Sequence, residues 1–390
     1  MKGILVKSCV YAAICFLFAS ISTASAATYS NLIVFGDSLS DAASLSVESN
    51  MKKDKENGNN TWVKTQGKTG APITNIDFAS KNSSLWPNDL ISDATLFEAN
   101  PNASRIIYPS SQAAIRGYSP LRYSINYAWA SAETGDHYIN DLNAAYPYND
   151  QACQTIGPGE ISPTSSCVPG VLLQVKRYLT DVEYHPNPRS LIIIWAGGND
   201  IFNNIAKVAA QNQQDSKPML VLKMLNVPFP LLPTKAGNEP LSYAVKNLKQ
   251  ATVMLLKAGV PAQNIYVINL PNLANTPAAQ DFVKGNKSLL YALTAITEIF
   301  NTTLRIDLAF NYMSPGYNIL NGHIISVHRS FGQILKDPQT FGFDKILNNC
   351  VQDGATPYCQ GYLFFNGKHP TTQAHQWMAD EFKKILSVNQ

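Results

Sequence analysis

Three short apolar runs, each closing on a turn, constrain this chain more than any other feature. Residues 31–35 read Asn-Leu-Ile-Val-Phe and end at Gly36-Asp37-Ser38. Residues 191–195 read Leu-Ile-Ile-Ile-Trp and end at Ala196-Gly197-Gly198-Asn199-Asp200, and residues 265–270 run into Pro271-Asn272. A strand that is apolar at consecutive positions must bury both faces, as in a parallel sheet covered by helices on each side. The intervening segments supply those helices. A period of about 3.6 predicts them over 171–182, 241–258, 289–308 and 372–386. The last places Ala374, Trp377, Met378, Phe382 and Ile385 on one face. Strands alternating with amphipathic helices predict an α/β fold built on a central parallel sheet. No internal repeat or linker divides the chain.

The N-terminus reads as an export signal. Lys2 and Lys7 precede an apolar stretch over residues 10–21, and Ala24-Ser25-Ala26 supplies small residues at a cleavage site before Ala27. The stretch falls short of the ~20 residues that span a bilayer, and no basic cluster follows to stop transfer. The expected organisation is therefore a signal peptide over 1–26 and a single domain over 27–390, with loop insertions at about 48–60, 147–170 and 207–238. Secretion follows, to the periplasm or beyond. Without Lys2 and Lys7 the balance is 28 basic against 27 acidic residues, so the net charge falls from +3 to about +1. A near-neutral surface excludes a nucleic-acid partner, which needs a basic face. With 45% hydrophobic residues the chain is not disordered either.

Two cysteines leave with the signal. The remaining four, Cys153, Cys167, Cys350 and Cys359, allow three pairings that sequence does not separate. Closeness along the chain favours Cys153–Cys167 and Cys350–Cys359, and an exported protein can keep both bridges. The spacing does not suit a four-cysteine zinc site, so neither a metal nor any other cofactor is expected. Residues 153–167 enclose Gly157, Pro158, Gly159 and Pro163 and read as a closed surface loop. Residues 219–233 are strongly apolar yet broken by Pro228, Pro230 and Pro233. They read either as a segment packed on the core or as a lipid-facing flap over a site.

Reactive groups in a parallel sheet gather at the carboxyl ends of its strands. Ser38 and Asn199 sit at two such ends, and His369 precedes the last helix. A serine nucleophile needs a base within hydrogen-bonding reach and donors for the oxyanion it creates. Ser38, His369 and Asn199 fill those roles if the fold gathers them. Their surroundings and order resemble the GDSL lipases, also called SGNH hydrolases. Residues 34–41 (Val-Phe-Gly-Asp-Ser-Leu-Ser-Asp) are similar to the family's nucleophile block. Residues 194–200 (Ile-Trp-Ala-Gly-Gly-Asn-Asp) resemble the block whose asparagine serves the oxyanion hole, and residues 363–371 (Leu-Phe-Phe-Asn-Gly-Lys-His-Pro-Thr) the histidine block. Weaker echoes lie at Leu85-Trp86-Pro87, Leu270-Pro271-Asn272-Leu273 and His375.

The resemblance implies a three-layer α/β/α sandwich of flavodoxin-like topology and ester hydrolysis through an acyl-serine. Ser38 would be the nucleophile and His369 the general base and acid. The oxyanion would lie against the Ser38 N–H, the Asn199 side chain and one further backbone N–H. Within the family, the chain looks most similar to the secreted bacterial phospholipase A/lysophospholipase and glycerophospholipid–cholesterol acyltransferase branch. That likeness implies phospholipid or lysophospholipid as substrate and cholesterol as an alternative acyl acceptor. It also implies peripheral contact with membranes and an activating protease acting on the 153–167 loop.

Two positions depart from the pattern. The family's glycine-containing second block is matched by Asn126-Tyr127-Ala128-Trp129-Ala130-Ser131-Ala132. Ser131 is the expected third oxyanion donor, with Ala130 in the competing register. The aspartate that normally stands three residues before the histidine is Asn366. In a serine protease that exchange cost about 10⁴ in turnover because the imidazole took the wrong tautomer. Asn366 can orient His369 through its carbonyl oxygen, or a backbone carbonyl or a carboxylate such as Asp353 can do so instead. The competing functions are an impaired relative that binds lipid or a surface without turnover, and an esterase acting on acetylated sugars.

Overall fold

The computed structural model describes residues 29–41, 85–98, 106–110, 113, 117–136, 138–139, 168–203, 241–285, 287–309, 323–355 and 359–388. The export signal, Cys153 and Cys167, the 219–233 segment, the 48–60 and 207–238 insertions and most of the third lie outside the described residues.

The three apolar runs are neighbours in one sheet. Strand β1 (Asn31–Gly36) pairs in parallel with β3 (Ser124–Asn126) and with β6 (Ser190–Trp195). Strand β2 (Ile107–Pro109) extends the β3 side, while β7 (Ile265–Ile268) and β8 (Ile324–Ile325) extend the β6 side. The resulting order is β2-β3-β1-β6-β7-β8, parallel throughout. Without the β2 edge strand it is the doubly wound order of flavodoxin-like folds, whose ligands bind where the chain changes direction. That change falls between β1 and β6, and Ser38 and Asn199 follow those two strands.

The side-chain period of two explains why the runs are apolar throughout. Ile33, Phe35, Ile192 and Ile194 face one layer, formed by α2 (Val171–Asp181), α3 (Leu241–Lys257) and α5 (Lys287–Ala309). Leu32, Val34, Leu191, Ile193 and Trp195 face the other, formed by α1 (Trp86–Ile91), α6 (Val327–Lys336) and α7 (Thr372–Val388). The short helix α4 (Pro277–Val283) precedes α5. On α7 the buried stripe is Ala374, Met378, Phe382 and Leu386, with Trp377 and Ile385 partly buried at its margin. Phe382 meets Trp86 edge-on at 5.2 Å, and Trp195 lies within 6.3 Å of Trp86. This aromatic cluster supports the end of β6 that leads to Asn199.

Two small pairs flank the main sheet. β4 (Tyr138–Ile139) is antiparallel to β5 (Val168–Pro169), and β9 (Lys345–Asn349) is parallel to β10 (Tyr362–Phe364). Cys350 and Cys359 are joined by a disulfide between β9 and β10. The histidine segment leaves from the end of β10.

Candidate active site

Ser38 occupies the first turn beyond β1, where the chain reverses tightly. The Asp37 carbonyl accepts the N–H groups of Ser40 and Asp41, both at 3.0 Å, and the Asp37 carboxylate accepts Leu39 N–H at 3.0 Å. Gly36 makes the approach to β6 possible, since a Cβ there would lie 2.3 Å from the Trp195 carbonyl oxygen. The buried Gln174 on α2 holds the same peptide from the other side. It accepts Gly36 N–H and donates to Gly36 C=O, each at 2.9 Å. Burial, reinforced by the nearby Asp41 charge, pushes the Asp37 carboxyl up to about 7.

His369 lies in the turn between β10 and α7. The turn is pinned where Phe365 N–H meets the His369 carbonyl at 2.8 Å and Thr371 N–H meets Leu363 C=O at 3.0 Å. Thr371 then caps α7, its hydroxyl accepting Ala374 N–H at 3.3 Å. His369 Nε2 stands 2.7 Å from Ser38 Oγ, across 331 residues of sequence. Its Nδ1 stands 2.9 Å from Asn366 Oδ1.

That Asn366 contact fixes the tautomer. Oδ1 also accepts the backbone N–H groups of Lys368 and His369, both at 3.0 Å. Two backbone donors converge on this atom, so it must be the oxygen and not the amide nitrogen. His369 Nδ1 therefore carries the proton, and the Nε2 lone pair faces Ser38. The alternative orienter is excluded by position: Asp353 accepts Tyr362 Oη–H at 3.0 Å and lies 3.6 Å from Lys345 Nζ. Loss of hydration, with the Lys368 charge adding, lowers the His369 pKa to about 4.

The donors that the sequence predicts for an oxyanion lie on two loops that are tied together. Asn199 Nδ2 donates to Ala132 C=O at 2.9 Å, which uses one of its two amide hydrogens. Asp200 accepts Thr134 N–H at 3.2 Å and the Thr134 hydroxyl at 2.7 Å. Burial and the neighbouring Glu133 raise the Asp200 pKa. From the opposite side, the buried Asp41 accepts Ala130 N–H at 2.8 Å. The Ala130 register is thereby occupied. Ser131 has φ +68°, the left-handed conformation that glycine adopts without cost, and its N–H has no acceptor among the described residues.

Ser38, Asn199 and His369 border a cavity of about 160 Å³ whose walls include Leu39, Leu270, Leu273, Phe331, Leu335 and Leu363. Its polar lining comprises Asp37, Ser38, Asn199, Asn272, Asn275, Thr276, His328, Lys368 and His369. An apolar chain fits such walls, with its polar head at the serine. Among the described residues, no three His, Cys, Asp or Glu side chains cluster so as to hold a metal ion.

Asp41, Gln174 and Lys368 escaped the sequence reading as site residues. Gln174 alone left a signal, as a polar residue on the apolar face that Val171, Leu172, Val175 and Tyr178 define. Asp41 and Lys368 lie inside recognised motifs, but only the folded chain reveals what they touch. His375 is fully buried on α7, where burial and the His369 charge push its pKa down to about 3.

The family model described as GDSL-like Lipase/Acylhydrolase matches residues 32–382. The anther-specific proline-rich protein APG of Brassica napus is 29% identical over 141 residues, which cover 32% of this chain and 30% of that protein.

Proposed function

The chain belongs to the GDSL-like lipase/acylhydrolase family, and from that premise we propose that it is a secreted serine hydrolase of phospholipid and lysophospholipid carboxylic esters. The observation that carries this reading is the hydrogen-bonded series Ser38–His369–Asn366, whose serine and histidine line a cavity with largely apolar walls. Ser38 Oγ attacks the ester carbonyl as its proton passes to His369 Nε2. The oxyanion is held by the Ser38 and Ser131 backbone N–H groups and the free Asn199 amide hydrogen. His369 then protonates the leaving alcohol, and the acyl group stays on Ser38. Water, activated by the same nitrogen, releases the fatty acid. An alcohol such as cholesterol in place of water gives acyl transfer.

The apolar cavity walls support a lipid substrate over an acetylated sugar. Export through the 1–26 leader and activation by cleavage within the 153–167 loop belong to the same proposal. The test is incubation of the exported protein with phospholipid and lysophospholipid, with and without cholesterol. Fatty-acid release by wild type that Ser38→Ala abolishes supports hydrolysis. Equal release by both proteins refutes it. N-terminal sequencing of the exported protein should begin at Ala27.

A second reading, a lipid-binding relative without turnover, is favoured by the uncharged Asn366. It predicts tight lipid binding and no release until Asn366→Asp restores the carboxylate.

A further inference from the structure

A cation stands beside the base of this site. Lys368 immediately precedes His369 in the turn after β10 and lines the cavity that holds Ser38 and Asn199. Its Nζ lies 4.5 Å from the centre of the Phe202 ring, so the ammonium rests on an aromatic face and not on a carboxylate. No Asp or Glu among the described residues pairs with it, whereas Lys176, Lys345, Lys383 and Lys384 all pair with acidic side chains. Partial loss of hydration lowers the Lys368 pKa. A cation in that state gains from any anion brought to it.

Among the described residues the cavity lining includes one carboxyl, Asp37, and no second acidic side chain. The carboxylate expected at position 366 is an amide, and Asp37 is itself pushed up to about 7 by burial. The groups that face His369 are Ser38 from the β1 turn, Asn366 and Lys368 from its own turn, and His375 from α7, whose charge and that of His369 oppose each other. Protonation of His369 during the reaction therefore places a second positive charge next to Lys368. A substrate anion seated on Lys368 would remove that repulsion.

Resting on the hydrolase reading above, we propose that Lys368 makes this site select esters whose alcohol carries a phosphate. Its ammonium holds the phosphate beside the scissile ester, where the phosphate charge stands in for the carboxylate missing at position 366. Lys368 is thus a specificity-determining residue, and the substrate completes the electrostatics of the base. Glycerophospholipids and lysophospholipids have this chemistry; monoacylglycerols and simple alkyl esters do not.

The experiment compares lysophosphatidylcholine with monoacylglycerol bearing the same short acyl chain, using the full chain and its Lys368→Gln and Lys368→Arg variants. Wild type should prefer the phosphate ester in kcat/KM by about tenfold to a hundredfold, the range of one charge-assisted hydrogen bond. Lys368→Gln should bring the ratio close to one, and Lys368→Arg should restore most of it. The pH profile gives a readout that simple damage to the fold would not produce. The acid limb of kcat should lie at higher pH for the phosphate ester than for the neutral ester in wild type, and the two limbs should coincide in Lys368→Gln. A ratio unchanged by Lys368→Gln, or near one in wild type, overturns the proposal. Binding of an ether-linked lysophosphatidylcholine, which has no ester to cleave, keeps the inference separate from its premise. Binding weakened about tenfold in Lys368→Gln, with no ester hydrolysis by wild type, would sink the hydrolase reading and leave phosphate recognition standing. Equal binding by both proteins would sink phosphate recognition alone.

Discussion

Replacing Asn366 by aspartate separates two contributions that a carboxylate normally makes together, orientation and charge. Orientation is already present, because the backbone N–H groups of Lys368 and His369 hold Oδ1 towards the imidazole. Asn366→Asp should therefore gain much less at neutral pH than the factor of about 10⁴ lost when an asparagine imposed the wrong tautomer. It should instead raise the His369 pKa from about 4, so that the acid limb of kcat/KM moves to higher pH. A pH–rate profile in which the limb stays put would contradict this. Ser131 offers a second test at the same scale. Ser131→Gly should keep turnover and recover part of the roughly 1–2 kcal/mol that a left-handed L-residue costs, glycine's chain entropy offsetting the rest. Ser131→Val, β-branched in a conformation it resists, should turn the N–H away and lower kcat about 10²–10³-fold with little change in KM. Ser38, Asn199 and His369 were legible because each lies in a contiguous motif at the end of an element. Ser131 was already preferred over Ala130, but the contact that occupies Ala130 N–H, to Asp41 across 89 residues, was not legible.

At the scale of elements, helix α2 holds the end of β1 from which Ser38 follows. Gln174 satisfies both polar groups of the Gly36 peptide where strand pairing ends. Gln174→Leu preserves the apolar face of α2 but orphans the buried Gly36 N–H, whose carbonyl still meets Trp129 N–H at 3.1 Å. Loss of stability of about 1–3 kcal/mol is expected in denaturant unfolding, with a fall in kcat as Ser38 loses its seat. Unchanged unfolding midpoints would mean that water replaces the amide. The long helices and the three central strands followed from periodicity because each carries enough apolar residues to set its own phase. Strands β2, β3 and β8 did not. They span two or three residues, and neighbouring strands define them more than their own composition does. The sheet order likewise depends on pairings between distant segments.

For the whole molecule, the buried titratable groups pull stability in opposite directions with pH. His369 and His375 have folded pKa values lowered to about 4 and about 3 from an ordinary 6.5. The unfolded chain takes up protons first as pH falls below 6.5, so these groups weaken the fold progressively towards pH 4 and 3. Asp37, raised from 3.8 to about 7, and the similarly raised Asp200 act in reverse, since the folded state holds their protons as pH falls through that interval. His375→Gln should flatten the acid-side loss of stability, and Asp37→Asn should steepen it by removing the opposing group. Unfolding followed between pH 4 and pH 7 would measure both slopes, and parallel curves for wild type and variants would refute the assignment. The separation of 331 positions between Ser38 and His369 also has a consequence in time. A ribosome delivers the serine long before its base, so a nascent chain not yet extended to residue 369 carries an unarmed hydroxyl. The hydroxyl thus waits, during synthesis, for a base encoded hundreds of residues downstream.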